Sequence, residues 1–426
     1  MKKLAERDER AEAAREELNA DLAAFQRDGS PADTRVGRLA RDCIYGTDKE
    51  PRAARTAKMN MIMHGDGHGG IHWHDGLIDI NGIWENRFKV VVTNPPFGSS
   101  VKKTSKVGDT SATDVPSTPD YSRRQNERYG DAWRPAHREV VRNRGKSILS
   151  LYEVGEGRGG SKTEILFLER CLNLLKPGGR LAIVLPNGNL NGASLSWLRR
   201  WAEGKAFLRG VVALPMETFK FSGASVSASV VFMQKFTYAD TVRWDAAWAE
   251  AGAKLGPEFT QRRAEKVASY EADVIDGGDG ELKQILSDLR ALGGDRVLPE
   301  LTRTAPAGIE RGAGTTTIGP PRWTGPSRGE AAALHRKYAE RAADVPAVAR
   351  ALAALKAELA ALDREQTKMM WSHVREAFDY PVFMARPAAV GITATGDTGE
   401  HVPNDLPEVL AEWKAFIAPF WTDRAA

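Results

Sequence analysis

Between residues 44 and 234, short apolar runs alternate with helix-like stretches, and this alternation constrains the fold more than any other feature. The apolar runs predict strands at 44–47, 89–93, 180–185, 211–214 and 227–234. Residues 53–63 and 163–175 predict helices, and the second is stopped by the Lys-Pro-Gly-Gly sequence that follows it. A strand–helix–strand order is typical of a parallel sheet covered by helices on both faces. We therefore expect an α/β fold.

The composition of the 426 residues fits a large protein with two or three structural units. Apolar residues make up 42%, the mean hydropathy is −0.40, and no apolar run is long enough to cross a bilayer. The charged N-terminus lacks the apolar core of a signal peptide, so we expect a cytoplasmic protein without a membrane partner. Cys43 and Cys171 are too few for a disulfide framework. The net charge of +4 permits a polyanionic partner without requiring one.

Composition also predicts how the chain divides. We expect a core formed by residues 1–98, beginning with a helix at 2–25, and by residues 163–236. Residues 99–162 are rich in Ser, Thr, Gly, Pro and basic side chains and predict a long flexible loop. Residues 237–380 predict a helical region with a linker near 304–328, and residues 381–426 predict a strand and tail.

Within the helical region, apolar residues recur at alternating spacings of three and four, which is typical of a coiled-coil seam. The residues of this seam are Val345, Val348, Leu352, Leu355, Leu359 and Leu362. The pattern fits equally well an amphipathic helix of an independent domain and a helix that binds a partner.

The sharpest chemical signal is the sequence Asn94-Pro95-Pro96-Phe97, directly after the apolar run that ends at Thr93. Carboxyl ends of parallel strands are where α/β sheets bind ligands. The two prolines stiffen the corner and remove two N–H donors. The Asn94 amide oxygen and the Pro95 carbonyl can accept both hydrogens of an exocyclic amine, while Phe97 offers a face for an extruded base. The alternative is an ordinary strand end closed by a proline turn.

This corner resembles the catalytic motif of amino-group methyltransferases that use S-adenosylmethionine. Several flanking blocks are similar to those of adenine-N6 DNA methyltransferases, specifically the M (modification) subunits of type I restriction–modification systems. These blocks are Ile44–Asp48, Ala57–Met61 with His64–Asp66, Glu164–Leu172, Leu175–Pro186, Leu214–Lys220 and, more weakly, Asn404–Leu410. They cover residues 40–236 well and the C-terminal part in patches.

The resemblance implies a role for several residues. Asp48 matches the acid that binds the ribose hydroxyls of S-adenosylmethionine, and Asp75 matches the acid near its adenine amino group. Phe219 or Phe221 corresponds to an aromatic residue that holds the flipped base. For each acid, a helix cap or a solvated turn is the alternative. The implied partners are duplex DNA, a specificity subunit that supplies the target sequence, and a restriction subunit.

One departure from the family pattern matters more than the matches. The family has a glycine-rich loop after its first strand, and nothing before Ile44 resembles that loop. We therefore expect a Rossmann-like methyltransferase sheet that lacks its first strand, followed by a mostly helical C-terminal region. The expected consequence is that a second polypeptide supplies the strand and loop. The alternative is a truncated, non-catalytic remnant that binds DNA or a partner.

Two further patterns allow other interpretations. Gly155-Glu-Gly-Arg-Gly-Gly160 matches the spacing of a dinucleotide-binding loop, but no acid-tipped strand follows at the required distance. A flexible basic loop near DNA is the preferred interpretation. A cluster of imidazoles and carboxylates has the chemistry of a zinc site, although we expect no metal. This cluster consists of His64, Asp66, His68, His72, His74 and Asp75.

The segment 102–146 carries many lysines and arginines, among them Arg123 and Arg124, with aromatic residues between them. Such side chains can neutralise phosphates and stack on bases, so we expect Arg123 and Arg124 to bind DNA. A solvated loop is the alternative. Methylation of RNA or of protein glutamine shares the Asn-Pro-Pro motif and is disfavoured by the flanking blocks.

Overall fold

The computed structural model describes residues 42–63, 70–220, 226–277, 280–293, 309–312, 315–318 and 330–420, together with Glu16 and Ala20. The predicted helix at 2–25 and the residues His64, Asp66, His68 and Phe221 therefore lie outside the described residues, except for Glu16 and Ala20. The described chain forms two compact units. The first comprises described residues up to Leu198 together with 206–235 and 383–420, and the second comprises described residues of 199–205 and 236–382.

The strands are β1 (Tyr45–Asp48), β2 (Gly70–Trp73), β3 (Phe88–Thr93), β4 (Ser100–Lys102), β5 (Gly160–Lys162), β6 (Leu175–Pro186), β7 (Ala206–Ala213), β8 (Ala228–Lys235), β9 (Ile309–Gly312), β10 (Thr315–Ile318) and β11 (Phe383–Ala385). The helices are α1 (Pro51–Met63), α2 (Pro119–Tyr129), α3 (Arg134–Arg142), α4 (Thr163–Leu174), α5 (Asn187–Asn191), α6 (Ser196–Glu203), α7 (Tyr238–Gly277), α8 (Gly280–Gly293), α9 (Glu330–Asp344), α10 (Pro346–Ala377) and α11 (Leu406–Ile417). The expected α/β class is confirmed.

The main sheet of the first unit has the strand order β11-β7-β8-β6-β3. β3 pairs with β6 and β11 pairs with β7 in parallel, whereas β8 is antiparallel to both β6 and β7. β8 therefore departs from the expected parallel arrangement, and the sheet is mixed. The connection from β7 to β8 contains a 3-10 turn and, in its described residues, no crossover helix of the kind that a parallel return requires.

The core of this unit lies between the sheet and its helices. Leu181, Ile183 and Leu185 alternate along β6 and are buried, as expected for a strand with a period of two. Trp413 of α11 packs against β7. A Cβ atom at Gly210 of β7 would lie only 2.6 Å from the Trp413 ring. Glycine is therefore required at residue 210 for this helix to pack.

The sheet is interrupted between β1 and β3. β1 pairs with β2 in a separate parallel sheet, and within the described residues the second edge of β1 and of β3 has no backbone partner. Side chains join the amino ends of the two strands, where the rings of Tyr45 and Phe88 lie 5.7 Å apart. The interruption is at the point where the first strand of the Rossmann-like sheet was expected to be missing. Val90 and Val92 of β3 are 53% and 75% exposed.

The prediction of a long flexible loop at 99–162 was wrong, because this segment contains regular secondary structure. This segment contains β4, α2, α3 and β5, and several of its aromatic residues form a small core instead of facing solvent. Tyr121 and Trp133 are 6% and 5% exposed and their rings meet edge to face at 5.9 Å. The Thr118 hydroxyl caps α2 by accepting the Tyr121 N–H, and Pro119 occupies the first turn.

The second unit is mainly helical. An apolar cluster joins α7, α8, α9 and α10, with Phe259, Tyr338 and Val348 almost fully buried. The predicted seam lies on α10, and Leu355, Leu359 and Leu362 belong to this internal cluster. The seam is therefore packed within the chain and is not a free surface for a partner. The predicted linker near 304–328 contains the antiparallel pair β9 and β10. None of the described helices has the length and apolar character needed to cross a bilayer.

Candidate active site

The Asn94–Phe97 segment forms an accessible corner directly after β3. The side chain of Asn94 is exposed, Pro95 is buried, and Phe97 is half-buried. Gly98 has a φ of +73°, a conformation that favours glycine, and it turns the chain away from the strand toward β4. The corner is thus anchored by its first proline and presents an amide and an aromatic ring at the carboxyl end of an edge strand.

A second aromatic residue meets this corner from a distant part of the sequence. Phe219 ends a 3-10 turn (Met216–Phe219) in the connection after β7, and its ring lies edge to face with Phe97, 5.6 Å between centroids. Since β3, β6 and β7 run in the same direction, their carboxyl ends lie at one edge of the sheet. The structure therefore brings Phe97 and Phe219 together, and the base-holding role that the resemblance implies for Phe219 or Phe221 stays a prediction. Phe221 is outside the described residues.

A polar network that the sequence analysis missed holds the same edge. The side-chain Nδ2 of Asn187 donates to the Ser227 hydroxyl at 2.7 Å, and the Ser229 hydroxyl donates to the side-chain Oδ1 of Asn187 at 2.7 Å. Asn187 follows β6, whereas Ser227 and Ser229 lie at the start of β8. The network fixes the point where the connection carrying Phe219 re-enters the sheet. The Leu-Pro-Asn-Gly sequence after an apolar strand was its only sequence signal.

The two candidate cofactor acids lie together at the end of the small sheet. Asp48 ends β1, and the carbonyl oxygen of Asp48 accepts the His74 N–H at 3.0 Å, next to Asp75. One carboxylate oxygen of Asp48 accepts the Glu50 N–H at 2.8 Å in an Asx turn before α1, and the helix itself is capped by Glu50, whose carboxylate accepts the Arg52 N–H at 2.9 Å. Asp48 is exposed and Asp75 is 6% exposed.

Both oxygens of Asp75 have partners. Oδ1 accepts the Leu77 N–H at 3.0 Å, and Oδ2 lies 2.9 Å from the Lys49 ammonium. The Lys49 side chain is 63% exposed, so this ion pair is open to solvent on the lysine side. A ligand that donates an N–H can replace Lys49 at Oδ2 without disturbing the backbone bond at Oδ1.

Of the two histidines beside these acids, His74 is buried and His72 is half-buried. The His74 ring contacts the carbonyl oxygens of Asp75 and Asp114 at 3.1 and 3.0 Å, and burial lowers its pKa. Burial, reinforced by the charge of Arg128, lowers the pKa of His72 to about 4. Among the described residues no group of three or more His, Cys, Asp or Glu side chains is arranged to hold a metal ion.

The glycine-rich sequence 155–160 does not form a loop between a strand and a helix. Gly155 ends a 3-10 turn, and a Cβ atom there would lie 2.6 Å from the Leu149 carbonyl oxygen. Gly157 has a φ of +70°, and Gly160 begins β5. The glycines therefore serve close packing and a turn that leads into β5.

The two arginines expected to bind DNA lie on α2 and are exposed. The Arg123 guanidinium is 2.9 Å from Asp120 of the same helix. Three other arginines of this segment have acidic partners nearby in the fold, namely Arg134 with Asp131, Arg142 with Glu139, and Arg144 with Asp114. Much of the positive charge of α2 and α3 is thus already compensated by neighbouring carboxylates.

The chain is similar to several known proteins. A family model described as N-6 DNA Methylase matches residues 35–126 and 124–249. Defense against restriction protein B of Escherichia phage P1 is 35% identical over 69 residues, which are 16% of this chain and 3% of that protein.

Two solved structures are also similar. The M protein of the type I restriction enzyme EcoKI is 23% identical with a TM-score of 0.31, over 50% of this chain and 35% of that one. A chain from a structure of the type I R-M system is 24% identical with a TM-score of 0.31, and the match covers 51% of this chain and 35% of that one. This chain therefore spans about a third of the length of these structures and a small fraction of the phage protein.

Proposed function

Because this chain belongs to the N-6 DNA methylase family, we propose that it transfers a methyl group from S-adenosylmethionine to the N6 amine of adenine in duplex DNA. We assign it to the modification subunit of a type I restriction–modification system, in which a specificity subunit supplies the target sequence and a restriction subunit is a further partner. The observation that carries this proposal is the exposed Asn94 corner with Phe97 in contact with Phe219.

The corner has the chemistry that the reaction needs. The Asn94 amide oxygen and the Pro95 carbonyl accept the two amine hydrogens, which aims the nitrogen lone pair away from the base plane. Phe97 and Phe219 contact the extruded adenine. Extrusion costs a few kcal/mol, and stacking on an aromatic side chain returns about 1–3 kcal/mol per base. The amine loses its proton after transfer, so no strong general base is required.

The acids at the end of the small sheet fit S-adenosylmethionine. When bound, this cofactor supplies an electrophilic methyl group. The exposed Asp48 carboxylate keeps acceptor positions for ribose hydroxyls beyond the one used by Glu50 N–H, because an ionised carboxylate has about four lone-pair sites. Asp75 can exchange the solvent-exposed Lys49 for an adenine amino group. Asp48→Ala is therefore expected to weaken cofactor binding in calorimetric titrations.

The decisive experiment compares the 426-residue chain, with any subunits that co-purify, with its Asn94→Ala variant. Methyl transfer is measured on duplex DNA, duplex RNA and protein acceptors. We expect transfer to DNA adenine by the unmodified chain and none by Asn94→Ala, with unchanged cofactor affinity. Asn191→Ala, an exposed asparagine of α5, is the matched control and should be fully active. Transfer to RNA or protein instead of DNA would contradict the proposal.

We further propose that a second polypeptide completes the sheet by adding a strand and glycine-rich loop between β1 and β3. Within the described residues these strand edges have no backbone partner, and Val90 and Val92 are exposed, which supports this. Unpaired strand edges readily pair with another chain. Val92→Lys should abolish co-purification of the partner, whereas Met384→Lys, at an equally exposed strand residue of β11, should not. A lone monomer that binds S-adenosylmethionine and melts cooperatively would contradict this.

The same interruption favours a second candidate function. Asp48 and Asp75 belong to a different sheet from Asn94, so the chain without a completing strand would bind DNA or a partner without turnover. DNA binding combined with absent transfer and absent cofactor binding, in every purified form, would favour this alternative.

A further inference from the structure

The antiparallel ribbon of β4 and β5 lies immediately after the Asn94 corner. Only Gly98 and Ser99 separate Phe97 from β4. The Thr163 N–H donates to the Ser99 carbonyl at 2.9 Å, and the Lys103 N–H donates to the Gly159 carbonyl at 3.1 Å. The ribbon is therefore bonded at both ends and tied to the first residue of α4.

The two faces of this ribbon differ in chemistry. Val101 is paired with Ser161, which is 8% exposed, so this face packs against the unit. Because successive side chains of a strand point to opposite faces, the neighbours of Val101 and Ser161 lie on the other face of the ribbon. Lys102 and Lys162, both exposed, lie on this opposite face, and Lys103, also exposed, directly follows β4.

A further cation, Arg158, lies two residues before β5 in the chain. The Arg158 guanidinium lies 4.2 Å above the ring of Trp197 at the start of α6. Stacking on an aromatic face holds a guanidinium while leaving its N–H groups at the ring edge able to donate. Arg158 is exposed, and its contact with Trp197 restricts the orientation of its guanidinium.

The ribbon cations differ from the arginines of α2 and α3 in their electrostatic surroundings. Within the described part of the chain, Lys102, Lys103, Arg158 and Lys162 form no ion pair with a carboxylate. Arg123, Arg134 and Arg142 each do, with an acid three residues away. Uncompensated charge attracts a polyanion more strongly than charge that is already paired, so the ribbon is the better phosphate-binding surface of this segment.

We propose that the β4–β5 ribbon and Arg158 form a surface that binds the phosphates of duplex DNA beside the target adenine. This inference rests on the proposed function and deepens it. Because two residues join the ribbon to the Asn94 corner, the phosphates bound are those flanking the extruded nucleotide. The ribbon thus positions the strand from which the base is taken.

The test compares two triple variants that remove equal charge. Lys102→Gln/Lys103→Gln/Lys162→Gln alters the ribbon, and Arg123→Gln/Arg134→Gln/Arg142→Gln alters α2 and α3. Binding of a short fluorescent DNA duplex is followed by anisotropy over a range of salt concentrations. Each lost phosphate contact lowers the slope of log affinity against log salt by about 0.9. We expect the ribbon variant to lose about 2–3 of that slope and the helix variant to lose less than about 1.

Wild-type affinity and salt slope in the ribbon variant would overturn the inference, as would an equal loss in both variants. Equal affinity of the unmodified chain for an RNA duplex of the same sequence would overturn the assignment to DNA. Thermal melting checks that both variants fold. Asn94→Ala in the same binding assay separates the two proposals, because it should bind DNA normally whether or not the unmodified chain transfers methyl groups.

Discussion

The rings of Phe97 and Phe219 meet edge to face, with their centroids 5.6 Å apart and their planes at 84°. Phe97 follows β3 and Phe219 follows β7, and two further strands separate these in the main sheet. The contact therefore spans the carboxyl edge of the sheet and links the Asn94 corner to the β7–β8 connection. Edge-to-face pairs are stabilising by about 0.5–1.5 kcal/mol beyond their buried area.

Phe219→Ala is expected to lower kcat/KM for DNA methylation by an amount corresponding to about 1–3 kcal/mol, the cost of losing one base-stacking ring. Cofactor affinity should not change, because Phe219 is remote in sequence and sheet from the two acids. Met216→Ala, at an exposed residue of the same turn, is the control and should retain activity. An unchanged kcat/KM in Phe219→Ala would remove this residue from the proposed base-binding site.

Sequence periodicity located the main strands because their burial is local and regular. β3 begins one residue before its predicted start and ends where predicted, whereas β6 ends one residue after its predicted end and begins five residues before its predicted start, at Leu175. By contrast, β2 (Gly70–Trp73) has no apolar period and was not predicted. The core of 119–142 was missed because its aromatic residues are widely spaced and separated by charges, although Thr118-Pro119 is a typical helix start.

The candidate site could be predicted only where its residues are contiguous. Asn94 to Phe97 form one motif at the end of one strand, so their position followed from the sequence. The pairing of Lys49 with Asp75 and the compensation of Arg123 by Asp120 depend on side-chain geometry that no spacing rule determines. The position of the ribbon beside the corner likewise required the strand register.

The ion pair between Arg170 and Asp79 is expected to contribute strongly to the stability of the first unit. Their side chains are 5% and 14% exposed, Nη1 lies 2.6 Å from Oδ1, and Arg170 also donates to the Gly76 carbonyl. Removing one member leaves a buried charge, so Arg170→Met should destabilise by about 3–5 kcal/mol in urea unfolding. The double variant Arg170→Met/Asp79→Leu should lose less than the sum of the single changes.

The exposed pair of Arg123 and Asp120 is the control for that experiment. Both side chains are 67% exposed, and such pairs contribute about 0–1 kcal/mol. Arg123→Gln should therefore leave the unfolding midpoint nearly unchanged. Similar losses in Arg170→Met and Arg123→Gln would show that burial does not set the strength of these pairs.

A substitution at Leu355 tests the packing of the α10 seam against the other helices of the second unit. This side chain is 3% exposed within the cluster formed by α7, α8, α9 and α10. Leu355→Ala should lower the free energy of unfolding of the second unit by about 2–5 kcal/mol. Leu410→Ala, at a half-exposed leucine of α11, should have a much smaller effect. Loss of a bound partner without loss of stability would instead assign the seam to an interface.

The lowered pKa of His72 predicts how the free energy of unfolding depends on pH. Burial first, and the charges of Arg128 and Lys58 next, lower its pKa to about 4 in the folded chain, against about 6.5 when unfolded. Between these values the unfolded chain binds a proton that the folded chain does not, so stability falls as the pH decreases from about 6.5 to 4. The full effect is on the order of 3 kcal/mol, at about 1.4 kcal/mol per pKa unit.

His72→Gln removes this titration and should flatten the decline in unfolding free energy between pH 6.5 and 4, measured in urea at several pH values. Part of the decline should remain, because burial also lowers the pKa of His74. His401→Gln, which changes an exposed histidine, is the control and should reproduce the unmodified pH profile. If His72→Gln loses stability in acid as steeply as the unmodified chain, His72 is not the group that makes folding sensitive to pH.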